Sequence, residues 1–109
     1  MRRPRDVHIS RESPIPLDEW LAEVSDAREW DRQTIRRGRT PSGMEVSIGP
    51  RPGSGFVWWI GHSSRKFVAF DFLDGEIRTT DPDEETLKKM REIADRLRAR
   101  LVGRKGEPI

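Results

Sequence analysis

The sequence predicts an α+β domain: an antiparallel sheet of four to six strands with two helices packed on one face. Three observations carry that expectation. Asp74-Gly75 is a tight-turn dipeptide between two alternating segments. Asp81-Pro82-Asp83-Glu84 opens a long amphipathic stripe. Four Trp and four Phe supply large buried areas to a chain that is only 33% hydrophobic. With 109 residues there is room for one core, so residues 1–109 form a single domain.

The elements follow in order. Residues 1–6 (MRRPRD) are dominated by charge and predict a flexible end. Val7 to Arg11 alternates apolar and polar residues, as a short strand does. Pro16 suits the first position of a helix, and Asp18 and Glu19 complement its dipole in the first turn. Leu17, Trp20, Leu21 and Val24 then share one face, which predicts a helix from Pro16 to Ser25. Gln33–Arg39 and Met44–Ile48 read as strands around a Pro41-Ser42-Gly43 turn, the second half-buried through Met44, Val46 and Ile48. Gly49–Gly55 is a loop. Phe56–Ile60 is apolar on both faces, so it is a central strand or one whose outer face is covered.

Gly61–Lys66 is a polar connection and Phe67–Leu73 a further strand. The Asp74-Gly75 turn sets a register in which Leu73 faces Glu76, Phe72 faces Ile77 and Asp71 faces Arg78. Val68, Phe70, Phe72 and Ile77 then line the inner face, and Asp71–Arg78 is a cross-strand ion pair on the outer one. Asp81 is the expected N-cap of the second helix, with Pro82 at its first position and Glu84 closing a capping box. Leu87, Met90, Ile93, Ala94, Leu97 and Leu101 extend that helix to Val102, and Gly103 ends it. The last residues frame an edge strand.

Composition narrows the chemistry. No Cys is present, which excludes disulfides, thiol catalysis and thiolate metal sites. No apolar run reaches the length of a membrane span, and no apolar stretch follows the charged N-terminus as a secretion signal requires; a cytoplasmic protein is expected. His8 and His62 lack metal-ligand spacing. His62 stands in GHSS, but no strand–Ser–helix elbow surrounds the serines, so this reads as a polar loop. Gly49, Gly53 and Gly55 lack the Gly-Lys-Ser/Thr ending of a phosphate loop. No catalytic residue, cofactor site or metal site is expected, and the chain reads as a non-enzymatic binding protein.

Binding candidates come from cations and indoles. Arg36, Arg37 and Arg39 cluster near one turn, Arg51 and Arg65–Lys66 occupy loops, and Lys88, Lys89, Arg91 and Arg96 ride the long helix. Acidic residues interleave almost one for one, leaving a net charge of +2, so the footprint for nucleic acid is diffuse and that partner is the alternative reading. Trp58 and Trp59 point to opposite faces of one strand; one belongs in the core with Val68 and Phe70, and the other needs a cover. The expected partner site joins Trp59 to Arg65, Lys66, Arg36 and Arg37. Were Trp59 core, the charged outer face of the long helix around Lys88, Lys89 and Arg96 would be the alternative.

The opening VHISRESPIPLDEWL, the strand FVWWI, the hairpin FVAFDFLDGEIRTT and the closing DPDEETLKKMREIADRLRARLVGRKGE resemble small bacterial α+β proteins that include candidate toxin-immunity proteins. The resemblance implies neutralisation of a cognate protein toxin by direct binding, with no cofactor and no membrane. Immunity proteins against nucleases tend to be acidic, whereas this sequence has a pI near 9.5, which points away from a basic nuclease and towards an acidic or neutral toxin surface.

Overall fold

The computed structural model describes residues 5–109. Of the end expected to be flexible, residues 1–4 lie outside the described residues, and Asp6 already begins the first strand. The order is β1 (Asp6–Ser10), α1 (Leu17–Glu23), β2 (Trp30–Asp31), β3 (Arg36–Arg39), β4 (Glu45–Ile48), β5 (Val57–Trp59), β6 (Val68–Leu73), β7 (Glu76–Thr80), α2 (Glu84–Arg96) and β8 (Arg100–Gly103). Six strands form one antiparallel sheet in the order β2-β5-β6-β7-β1-β8, and β3 and β4 form a separate two-stranded ribbon. No described helix is long and apolar enough to cross a membrane.

The β6–β7 hairpin has the register its turn dictates: Asp71 opposite Arg78, Phe72 opposite Ile77 and Leu73 opposite Glu76. Asp74 and Gly75 have φ of 52° and 78°, the two positive values of a type I′ turn, whose twist matches that of the strands. Gly75 meets a second demand as well. Its carbonyl accepts from the Ile15 N–H at 2.9 Å, and a Cβ there would lie 2.5 Å from that of Pro14. Asp71 and Arg78 pair at 3.4 Å.

Strand pairing carries the inner face across the sheet: Phe70 opposes Val57, Val68 opposes Trp59, Ile77 opposes Ile9, and Ile9 opposes Leu101. These residues join Trp20 and Val24 of the first helical segment and Leu87, Met90, Ile93 and Ala94 of α2 in one buried cluster. Phe70, fully buried, is its aromatic centre, with Trp20, Trp30 and Trp59 packed round it at centroid distances of 6.4, 5.1 and 6.4 Å.

Three expectations need correction. The second helix is capped by Asp83, not Asp81: the Asp83 carboxylate accepts the Thr86 N–H at 2.9 Å, while Asp81 sits at φ 47° in the turn leaving β7. Both Asp residues stand three ahead of a usable first-turn residue, but Asp83 also receives His62 and Lys66. The helix stops at Arg96 and not at Val102. Arg98 takes φ 53°, the Ala99 N–H reaches the Ala94 carbonyl at 2.8 Å and the Arg98 N–H reaches that of Asp95 at 3.3 Å, which together make a Schellman stop with Arg in the usual glycine position. Leu101 is therefore buried from a strand, β8. The chain end then runs back along that strand, with Gly103 N–H donating to the Glu107 carbonyl and Ile109 N–H to that of Leu101. Finally, the Met44–Ile48 strand is not half-buried, because the ribbon stands apart from the main sheet: Met44 and Ile48 are exposed.

A candidate binding groove of cations over aromatic rings

Consecutive strand residues face opposite ways, and β5 places its two indoles in different surroundings. Trp59 opposes Val68 and Trp30, lies edge-on to Phe70, and is buried in the core. The expectation of Trp59 as a surface anchor is thus overturned; inner-face parity, shared with Val57, puts it inside. Trp58 faces outward and is covered all the same. Phe56 and Phe67 meet it edge-on at 4.9 and 5.9 Å, and its Nε1–H donates to the Thr34 carbonyl at 2.8 Å, tying the sheet to the segment that leads into the ribbon.

Arg36, Arg37, Arg65 and Lys66 do converge, on the indole that the sequence reading did not choose. Together with Ile48, Trp58 and Phe67 they line a groove of about 570 Å³ between the ribbon, the outer face of β5 and the loop that leads into β6. Arg36 lies over the Phe67 ring, its guanidinium carbon 4.6 Å from the centroid. Arg36, Arg37 and Arg65 are exposed, and among the described residues none pairs with a carboxylate; Lys66 reaches Asp83 at 3.0 Å. No acidic side chain lines the groove. The helix face offers a different picture. Lys89 is buried against Glu29 at 2.8 Å and Arg96 pairs with Glu23, so two of the three cations proposed there are already engaged.

Arg65 owes its place to a tight turn. Its N–H donates to the His62 carbonyl at 2.9 Å and its own φ is 62°, a strained value for a residue with a Cβ. Beneath that turn is a polar cluster absent from the sequence reading. His62, buried and edge-on to Trp59 at 5.6 Å, offers Nε2 to Asp83 at 2.8 Å and Nδ1 to the Ser64 hydroxyl at 2.8 Å. The Thr86 N–H and hydroxyl, with smaller help from Lys66 and His62, hold the Asp83 carboxyl well below the usual carboxylate range. Ser63 donates through both its hydroxyl and its N–H to Glu85, which lowers that carboxyl too. Asp83 stands 21 positions from His62, so no local motif announced the contact. Among the described residues no group of three or more His, Asp or Glu side chains converges as a metal site requires.

Comparison of the chain with protein-family models, with curated proteins and with solved structures finds no match in any of the three.

Proposed function

We propose that this chain is a non-enzymatic binding protein whose groove grips an acidic segment of a partner protein, in the manner of a bacterial immunity protein neutralising a cognate toxin. The observation that carries the proposal is the convergence of Arg36, Arg37, Arg65 and Lys66 on a groove without one acidic lining residue. In a chain whose net charge is only +2, Arg36, Arg37 and Arg65, without carboxylate partners among the described residues, concentrate positive charge beside Lys66, which is paired to Asp83. The apolar floor and Ile48 add the desolvated centre that binding sites use. Both helices are taken to cover the inner face of the sheet, their buried residues sharing one cluster, which leaves the groove side free for a partner. A cytoplasmic site of action follows from the same reading.

The nucleic-acid alternative is less well supported. Trp58 is only 6% exposed and Arg36 already covers Phe67, so neither ring offers a free face on which bases stack. Fluorescence anisotropy with a labelled twelve-residue Glu-rich peptide containing one Leu, against a labelled dT oligonucleotide of equal length, tests the reading. Salt-sensitive peptide binding that Arg36→Ala and Arg37→Ala each weaken is the expected result. Tighter binding of the oligonucleotide, or peptide binding indifferent to both substitutions, overturns it.

A further inference from the structure

We propose that Ser64 is an activated nucleophile that accepts acyl groups from activated esters, with His62 as its base and Asp83 orienting that base. The tautomer of His62 follows from a contact that leaves no choice. The Ser64 backbone N–H, which can only donate, points at Nδ1 at 3.0 Å, so Nδ1 carries the lone pair and Nε2 the hydrogen. Nε2–H then donates to Asp83 Oδ2 at 2.8 Å, with Glu85 Oε1 at 3.5 Å on the same side. The Ser64 hydroxyl donates to the same Nδ1 at 2.8 Å, sharing its one lone pair with that N–H. Nucleophile to base and base to carboxylate are both within the reach that acyl transfer requires.

Accessibility divides as a reactive hydroxyl needs. Ser64 is exposed while the His62 ring is buried, edge-on to Trp59, so the base is held in place and the nucleophile faces solvent. The two carboxylates face Nε2 and hold the ring with Nδ1 turned to Ser64. Arg65, next along the chain and without a carboxylate partner among the described residues, carries charge complementary to an oxyanion. In the reaction the Ser64 Oγ lone pair forms a bond to the ester carbonyl carbon. The bond from that carbon to the alcohol oxygen breaks, and its electron pair leaves with the alkoxide or phenolate. The hydroxyl proton passes to His62 Nδ1 and then to solvent. The proposal does not depend on what the groove binds.

The test treats the full chain with p-nitrophenyl acetate and maps the acetyl groups by peptide mass spectrometry over time. Ser64 is expected to acetylate roughly a hundredfold faster than Ser63, its neighbour in the same loop. Asp83→Asn keeps an oxygen to accept the Thr86 N–H yet removes the negative charge, and it is expected to slow Ser64 acetylation at least about tenfold, as is His62→Gln. Thermal midpoints of Ser64→Ala and Asp83→Asn that stay well above the assay temperature separate chemistry from unfolding. Equal rates at Ser63 and Ser64, acetylation confined to lysines, or a Ser64 rate indifferent to both His62→Gln and Asp83→Asn overturns the proposal.

Discussion

The indoles of Trp58 and Trp59, neighbours in sequence, belong to different compartments: Trp59 lies 6.4 Å from Phe70 in the core, and Trp58 lies 5.9 Å from Phe67 beneath the groove. One peptide unit therefore ties core packing to the floor of the proposed binding site. Trp59→Ala is expected to cost about 3–5 kcal/mol of unfolding free energy, read as a fall in the urea midpoint, since it empties a site against Phe70, Trp30 and His62. Phe70→Ala is expected to cost a similar amount. A loss under about 1 kcal/mol for either would mean that the core is not centred where these rings meet.

Arg65→Gly separates binding from stability. The substitution relieves a φ of 62° and removes a groove cation. The thermal midpoint is expected to hold or to rise by the equivalent of up to about 1 kcal/mol, while acidic-peptide binding weakens. A fall in the midpoint would show that the Arg65 side chain holds the turn.

Acid sensitivity follows from Asp83. Its folded-state pKa is depressed, so the unfolded chain binds the proton more readily. The stabilisation is complete above the unfolded value near 4 and is lost progressively as pH falls from there. Thermal midpoints measured from pH 5 to pH 2 are expected to drop, and Asp83→Asn to flatten the drop. Parallel profiles for the two proteins would assign the acid sensitivity to other carboxylates.

Gly75→Ala is expected to destabilise by more than about 1 kcal/mol, because strain at φ 78° adds to the clash with Pro14. The same change at Gly53, also at positive φ but with open space around it, is the control, and it carries the backbone strain alone. Equal losses at the two sites, measured by urea denaturation, would show that the approach of Pro14 has no energetic weight.

The strength of local signals decided how much of this could be read in advance. Asp74-Gly75 specifies a turn and hence a register, and Phe70 and Ile77 followed it into the core. The end of α2 was hidden because its stop uses Arg98 in place of glycine, and because Leu101 continues a helical spacing by coincidence. The short strand of Trp30 and Asp31 has no periodicity to detect and exists by pairing with β5. At the site, the four cations were readable as two pairs, one on the Gln33–Arg39 strand and one in the loop after FVWWI. Choosing between Trp58 and Trp59 required the register of β5 on β6, which no turn dipeptide specifies. The Asp83 contact to His62 is purely tertiary.

Among the described residues the β3–β4 ribbon pairs only with itself, and residues on it or just before it meet the body through the Thr34 carbonyl at Trp58 and through Arg36 at Phe67. Two of the four groove cations, Arg36 and Arg37, sit on that ribbon, and Arg65 and Lys66 sit on the loop between β5 and β6. Substitution at Arg37, Arg39 or Met44 thus leaves the six-stranded body untouched, so the ribbon's share of the proposed recognition surface is free to vary without having to refold the rest.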